Sequence, residues 1–317
     1  MSPPAETASD RLDHQPGTDP TWQESAAIYW LDAAQGVGGG HRIGHEVTGG
    51  RANQWSGLFT PETRFRKVRN SLPLPGDGRA HDRMAAGTQA FAIVPGGIRI
   101  ELHDDECDAV LEIEDFHPMA PWPQRDASVA ETAADHLEAS GRVTGEVRIG
   151  DRAWEVDGLA HHDHSWGPRR WDWVRSHRWV AGTIDADLSF SIFTLHDRAN
   201  GYSCGGFVRR DGVALPVAAA DVVVLLEADG LTHRGGTVEA RLADGSTLVL
   251  DCTAVDGFVF GHREMTLVDA VCTVRAGDRT GFCCFEAYSN PREGSAELEL
   301  ALAASLADGL ELRDAAP

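Results

Sequence analysis

The chain has 317 residues, and its 28 basic and 49 acidic side chains give a formal net charge of −21. This charge excludes a bare nucleic-acid-binding protein, because each phosphate contact would be made against a repulsive field. Hydrophobic residues make up 42% and charged residues 24%, which is typical of a globular chain with a full core and excludes extensive disorder. The length suits one large β domain or two of roughly 150 residues.

The first 20 residues are rich in Pro, Ser, Asp and Thr and contain few large apolar side chains, so we predict a disordered leader over 1–20. This segment lacks the basic and apolar regions of a secretory signal, and the longest strongly apolar stretch, 222–226, is far shorter than the roughly 20 residues of a membrane span. We therefore expect a cytoplasmic protein without a membrane span. The six cysteines form no CxxC pair and are expected to be reduced core residues.

Beyond residue 21 the chain consists of short alternating or apolar runs bounded by Gly, Asp and Asn, a pattern typical of strands joined by hairpins. Turn residues predict five hairpins, centred on 95–97, 150–151, 185–187, 211–212 and 244–245. Helical composition is limited to 130–139 and 298–306, and the second segment suits a strand equally well. These features predict an all-β protein with few helices, whose antiparallel sheets close as barrels or sandwiches.

A weak internal similarity suggests two halves, because a hairpin followed by a Gly- and His-containing segment occurs at 158–166 and again at 257–264. We place the boundary near 168–178. The expected organisation is an N-terminal β domain over 21–170 and a C-terminal β domain over 171–317.

One stretch, 158–179, concentrates chemically active side chains: it holds four of the 14 histidines and four of the nine tryptophans. If 159–166 is extended, the alternation of a strand divides its residues between two faces. One face would carry His162, His164 and Trp166, and the other His161, Asp163 and Ser165.

Three interpretations of this stretch remain open. Histidine and aspartate could hydrogen-bond one another inside the fold while tryptophans fill the core. The histidines could bind zinc or iron, with a third ligand from His41, His45 or His262. Alternatively, Asp163 desolvated among indole rings would bind its proton more tightly and act as an acid, and tryptophan faces would stabilise a substrate carbocation.

Other segments are less informative. The glycine-rich segment 36–46 lacks the βαβ context of a phosphate loop and is interpreted as a strand entry. Glu24 is a possible second catalytic carboxylate, although charged residues near a chain end are usually solvated. Glu286 follows an apolar run, 282–285, and an inward-facing carboxylate there must be paired or neutral.

The segment 158–171, GLAHHDHSWGPRRW, resembles the (His/Arg)-Asp-His-(Ser/Asn)-Trp-Gly signature of proteins similar to carotenoid 1,2-hydratase. These proteins belong to a lipocalin-like superfamily that includes the AttH-like proteins and kievitone hydratase. The segment 135–158 resembles the approach to this motif in bacterial relatives, and WQES (22–25) and TGFCCFEAYSNP (280–291) resemble their beginning and end. The similarity spans most of 22–310.

The resemblance implies two lipocalin-like β domains, a pocket near their junction and a hydrophobic small-molecule substrate. Members of the superfamily hydrate alkenes, cyclise isoprenoids or promote pericyclic ring closure. Asp163, His164 and Trp166 match the motif directly, His162 occupies a position where relatives have His or Arg, and Glu286 corresponds to an acidic position near the C-terminus.

The leading hypothesis is a lyase or isomerase that needs no cofactor or metal and protonates a C=C bond of a hydrophobic, isoprenoid-type substrate. The expected catalytic residues are Asp163, His162, His164 and Glu286, and the expected substrate-binding residues are Trp166, Trp171, Trp173 and His161. The alternatives are a non-catalytic carrier of a hydrophobic molecule and a His/Asp metal-dependent enzyme.

Overall fold

The computed structural model describes residues 11–76, 79–122, 132–199, 201–229, 231–262, 265–289 and 311–313. Within these residues almost the whole chain is β-strand, and the only helical element is the 3₁₀ turn Val47–Gly49. The described residues include no helix of sufficient length and apolar content to cross a membrane.

Twelve strands form a first, curled sheet in the order β4-β3-β2-β1-β12-β11-β9-β8-β7-β6-β5, with β10 paired to β11. The bounds of these strands are β1 (Trp22–Asp32), β2 (Val37–Glu46), β3 (Arg51–Phe59), β4 (Arg64–Pro73), β5 (Arg79–Ala80), β6 (Arg83–Ala86), β7 (Gln89–Val94), β8 (Gly97–His103), β9 (Cys107–Asp115), β10 (Ala120–Pro121), β11 (Asp135–Ile149) and β12 (Arg152–Pro168).

The second sheet has the order β15-β14-β13-β20-β19-β18-β17-β16-β21, and pairing of β15 with β16 closes eight of its strands into a barrel. Closure leaves these eight strands without a free edge. The bounds are β13 (Val174–Asp185), β14 (Leu188–Asp197), β15 (Tyr202–Arg210), β16 (Val213–Glu227), β17 (His233–Leu242), β18 (Thr247–His262), β19 (Met265–Ala276), β20 (Arg279–Ser289) and β21 (Glu311–Arg313). The predicted all-β class with two lipocalin-like units is confirmed.

The five predicted hairpins are all present, at the β7–β8, β11–β12, β13–β14, β15–β16 and β17–β18 connections. In the β15–β16 turn Asp211 and Gly212 have φ of 49° and 80°. These positive values define the primed turn that suits the twist of a two-residue hairpin, and Asp-Gly adopts it readily.

The helix predicted over 130–139 is wrong for its described part, because residues 135–139 begin β11 and pair with β12. Pairing with the long neighbouring strand outweighs the helix propensity of the alanines there. The segment 298–306 lies outside the described residues.

Part of the predicted leader packs on the first sheet. Residues 1–10 lie outside the described residues, but Leu12 is buried in the core of this sheet and its backbone N–H donates to the carbonyl of His81. His14 stacks on Trp166 with ring centroids 3.7 Å apart. The segment 11–14 is therefore held by contacts that its composition does not reveal.

An aromatic core lies between the two sheets and positions the functional site. Trp55 of β3 stacks on Phe260 of β18, with ring centroids 5.2 Å apart. Gly57 of β3 allows close approach, since a Cβ there would lie 2.5 Å from the ring of Phe258. Aromatic packing of this kind fixes the relative position of the sheets. All six cysteines are free, and five of them are buried.

Candidate functional site

A cavity of about 100 Å³ lies between the two sheets and receives side chains from both. Much of its wall is aromatic, which provides an apolar surface with electron-rich ring faces. The aromatic lining consists of Tyr29, Trp55, Trp122, Trp171, Trp179, Phe193 and Tyr288. The charged or titratable lining consists of Arg42, His136, Asp163, Arg169, His177 and Glu286.

Asp163 of β12 lies in the wall of this cavity and is only 8% exposed. Its Oδ1 accepts a hydrogen bond from the backbone N–H of Ala27 (2.6 Å), and its Oδ2 accepts one from the hydroxyl of Ser165 (3.3 Å). The Nε2 atom of His136 lies 3.2 Å from the same Oδ2. Both carboxylate oxygens are therefore engaged by donors.

His136 connects Asp163 to a second buried carboxylate, because its Nε2 also lies 3.0 Å from Oε1 of Glu138. Burial alone would lower the pKa of His136, but Asp163 and Glu138 raise it to about 9. Burial would likewise raise the pKa of Glu138, but its contacts with His136 and His161 hold it below the usual value. The two residues form a buried ion pair at neutral pH.

His161 lies behind this pair and does not line the cavity. Its Nε2 is 3.3 Å from Oε2 of Glu138, and its Nδ1 is 2.8 Å from the hydroxyl of Ser140. The indole N–H of Trp179 also donates to Glu138 (3.1 Å). The network thus extends from the cavity wall into the first sheet.

The barrel contributes a second carboxyl centre on β19 and β20. Glu286 lines the cavity, contacts Nε2 of His177 and is paired in register with Asp269. The hydroxyl of Tyr29, from the first sheet, donates to Oδ2 of Asp269 over 2.7 Å.

Burial raises the pKa of Glu286 to about 7. The charge of Asp163 raises this pKa further, and the charge of Arg42 opposes the rise. Burial and Glu286 raise the pKa of Asp269. Glu286 therefore carries a proton in a large fraction of molecules near neutral pH.

Two guanidinium groups complete the polar wall. Arg42 lies over the ring of Trp55, 4.7 Å from its centroid. Arg169 is buried and donates to the hydroxyl of Ser165 (3.0 Å) and to the carbonyl of Thr132. These contacts place positive charge near Asp163 and limit the space available to a ligand.

The alternation predicted for β12 is confirmed, and it divides the candidate residues between the two faces of the first sheet. Asp163 lines the cavity, as do Glu286 and Trp171. The side chains of His162 and His164 face a separate groove, where His162 Nε2 lies 2.8 Å from Asp115 and His164 Nε2 lies 3.2 Å from Glu24. The remaining two candidates, Trp166 and Trp173, are also absent from the cavity lining.

The cavity also contains functional groups that the sequence analysis did not select. His136 belongs to β11, the strand that precedes β12, and Tyr29 to the distant β1, whereas Asp269 is paired in register with Glu286. Only His136 had a usable signal, because it lies in the 135–158 segment that resembles the approach to the motif. The pairing of β11 with β12 brings it to Asp163.

The proposed third metal ligands have other partners. His41 accepts a hydrogen bond from the indole N–H of Trp30 (3.2 Å), and its other ring nitrogen lies 3.0 Å from the amide oxygen of Gln89. The Nε2 atom of His45 lies 2.9 Å from the carbonyl of Ala85. The side chain of His262 lies outside the described residues. The cavity wall therefore contains neither His41 nor His45.

A closed eight-stranded barrel packed on a second curled sheet, with a polar centre in an aromatic cavity between them, defines a protein of the lipocalin-like class. A family model described as "Domain of unknown function (DUF7064)" matches residues 7–291, and the chain belongs to this family. No curated protein matches the sequence.

Three solved structures share the fold at low sequence identity. The structure of CghA with Sch210972 has a TM-score of 0.61 and 12% identity, covering 90% of this chain and 96% of that one. A putative AttH from Nitrosomonas europaea has a TM-score of 0.61 and 12% identity, covering 92% and 100%. Kievitone hydratase from Nectria haematococca has a TM-score of 0.59 and 9% identity, covering 88% and 97%. The predicted likeness to AttH-like proteins and kievitone hydratase is confirmed for the fold, and the more specific likeness to carotenoid 1,2-hydratase stays a prediction.

Proposed function

We propose that the cavity is the active site of a hydratase- or cyclase-type enzyme that protonates a C=C bond of a hydrophobic, isoprenoid-type substrate without a cofactor. The observation that carries this proposal is the convergence of two carboxyl groups, Asp163 and Glu286, from different sheets on one aromatic cavity. Opposed acid and base groups of this kind are what addition of water to a double bond requires. The similar fold of a protein named a hydratase supports the proposal.

Glu286 is the better proton donor of the two. Its pKa of about 7 keeps a proton available near neutral pH, whereas both oxygens of Asp163 already accept hydrogen bonds. This assignment differs from the sequence-based hypothesis, which gave the donor role to Asp163. Asp163, oriented by His136, would instead take the proton of the attacking water or of the carbon that closes the product.

The reaction balances without an external reagent. Glu286 gives its proton to one alkene carbon, and the cation formed on the other carbon lies among the aromatic side chains of the cavity wall, which include Trp171 and Trp179. Water, or an internal nucleophile of the substrate, bonds to the cationic carbon. The proton released there passes to Asp163, and solvent exchange restores both carboxyl groups for another turnover.

The size of the cavity restricts how a substrate binds. A volume of about 100 Å³ accommodates the reacting end of an isoprenoid but not the whole molecule. The remainder of a long substrate would extend through the cavity mouth or displace lining side chains. A substrate with its double bond near one terminus is therefore favoured.

The test is incubation of the purified protein with a panel of terminal isoprenoid alkenes in deuterated water and in oxygen-18 water. Deuterium in the product together with ¹⁸O indicates hydration, and deuterium alone indicates cyclisation. Glu286→Gln is expected to remove both labels, whereas Glu239→Gln, which alters an exposed carboxylate of β17, is expected to retain them. Tight binding of unchanged ligand without label would instead identify a carrier, and activity abolished by chelation and restored by metal would identify a metal-dependent enzyme.

A further inference from the structure

A second cluster of buried titratable groups lies on the opposite face of β12 from the cavity. Glu24 of β1 is fully buried, and its Oε1 lies 2.8 Å from Nδ1 of His14 and 3.2 Å from Nε2 of His164. Two histidines, one ten residues before Glu24 and one 140 residues after it, thus converge on one carboxylate oxygen. The catalytic proposal uses none of these three residues.

The donor atoms of this cluster suit a metal ion. One atom from each of His14, Glu24 and His164 lies within 4.8 Å of the other two, which is close enough for one ion to contact all three after small side-chain movements. Two imidazole nitrogens and one carboxylate oxygen form the ligand set typical of zinc and of non-haem iron.

His45 supplies an independent observation. It is completely buried and paired in register with Glu24 on the neighbouring strand, so the two side chains share a face of the sheet. Its Nε2 lies 2.9 Å from the carbonyl of Ala85, which can only accept, so the proton is on Nε2 and the lone pair on Nδ1. That Nδ1 is buried and has no hydrogen-bond partner among the described residues. A carbonyl contact on one ring nitrogen is the usual arrangement of a metal-binding histidine.

Arg79 orients the carboxylate of Glu24. Its guanidinium lies 2.8 Å from Oε2, on the oxygen that the two histidines do not contact. Oε1 faces the two imidazoles and also accepts a hydrogen bond from the backbone N–H of His14 (3.1 Å). A metal could replace the protons that now lie between Oε1 and the imidazoles. The same arrangement would hold the segment around His14 against the sheet.

We propose that His14, Glu24 and His164 bind one divalent transition-metal ion. The site is separate from the cavity, because β12 lies between them. Binding joins the segment before β1 to β1 and β12.

The experiment titrates the untagged, metal-free full chain with Zn²⁺ by calorimetry and with Co²⁺ by visible absorption. One high-affinity equivalent is expected, and Co²⁺ should give the intense bands of a four- or five-coordinate site. His14→Ala is expected to weaken Zn²⁺ binding at least about 100-fold and to abolish these bands. His103→Ala, which alters an exposed histidine of β8, is the matched control and is expected to bind as wild type does.

His14 suits this test because it precedes β1 and contributes no strand pairing, so we expect the sheet to remain folded in His14→Ala, and circular dichroism of the variant checks this. Absence of stoichiometric Zn²⁺ binding to the wild-type chain, or equal affinity in His14→Ala and wild type, would overturn the proposal. None of these measurements uses turnover, so their result does not depend on whether the proposed enzymatic activity is correct.

Discussion

Asp269 and Glu286 occupy paired positions on β19 and β20, and the hydroxyl of Tyr29 from the other sheet donates a hydrogen bond to Asp269. Both carboxyl groups are buried, so simultaneous ionisation would place two negative charges side by side in a poorly solvated site. The structure thus keeps at least one proton on this pair near neutral pH. The pair also joins the barrel to the first sheet at the cavity.

The pH dependence of turnover tests the role of Glu286. A donor with a pKa of about 7 is protonated below that pH, so turnover is expected to fall about tenfold per pH unit above it. Glu286→Gln should reduce turnover by at least about 100-fold at and below pH 7, and the difference from wild type should shrink as pH rises above 7. A pH profile for the wild type that stays flat from pH 6 to 9 would remove Glu286 from the donor role.

The stability of the same variant provides a check that does not need a substrate. The folded pKa of Glu286 is about 7 and the ordinary value is 4.5, so its stabilising contribution is complete below pH 4.5 and is lost as pH rises through 7. Relative to Glu286→Gln, the wild type should lose ~3 kcal/mol of unfolding free energy between pH 4.5 and 7. Urea unfolding at several pH values measures this difference, with Glu239→Gln as the exposed control.

Asp163→Asn separates proton donation from deprotonation. The amide retains an acceptor for the N–H of Ala27 but presents N–H donors elsewhere, so it can no longer take a proton from water. Turnover should fall at least about 100-fold while the fold persists. If Glu286 is the donor, deuterium exchange into recovered substrate continues in Asp163→Asn although product does not form.

The control for this variant is Asp157→Asn, because Asp157 lies on the same strand and its ion pair with Arg142 is exposed and contributes little. Unchanged turnover in Asp163→Asn would remove Asp163 from the mechanism. Loss of exchange together with loss of product would return the donor role to Asp163, as the sequence alone suggested.

The sequence predicted the fold class and the local geometry well. The turn residues specified the hairpins, since dipeptides such as Asp211-Gly212 favour one turn type. Alternation separated Asp163 from its neighbours His162 and His164, because successive side chains of a strand point to opposite faces.

What the sequence could not provide was the environment of each face. The second sheet covers the Asp163 face of β12, and this long-range packing makes Asp163 a cavity residue while His164 meets Glu24. Residues such as Tyr29 and Asp269 have no local pattern that distinguishes them from core side chains. The helix predicted over 130–139 failed for a related reason, since pairing with β12 determines the conformation of β11.

The pH dependence of stability tests the buried ion pair of His136. Its folded pKa is about 9 against an ordinary value of 6.5, so its contribution is complete below pH 6.5 and is lost as pH rises through 9. The wild type should therefore lose ~3 kcal/mol more than His136→Gln between pH 6.5 and 9. Chemical unfolding across this range measures the difference.

His103→Gln alters an exposed histidine, and its unfolding free energy should change with pH as that of the wild type does. The same pH dependence of unfolding free energy in His136→Gln and wild type would contradict the assigned ion pair.

Tyr29→Phe tests the connection between the two sheets. The substitution removes the hydroxyl that donates to Oδ2 of Asp269, and Oδ1 of Asp269 already lacks a hydrogen-bond partner among the described residues. Leaving a buried carboxyl group without its donor is expected to cost about 1–3 kcal/mol of unfolding free energy. Thermal and urea unfolding measure this loss. Tyr202→Phe, at an exposed tyrosine whose hydroxyl donates to a backbone carbonyl, should cost much less.

A double-mutant cycle assigns the loss to this hydrogen bond. In an Asp269→Ala background the hydroxyl of Tyr29 has lost its carboxylate acceptor, so Tyr29→Phe should cost less there than in the wild type. A coupling free energy of at least about 0.5 kcal/mol is expected for residues in direct contact. Additive effects of the two substitutions would show that Tyr29 stabilises the protein through packing against Trp179, whose ring centroid lies 5.9 Å away, rather than through Asp269.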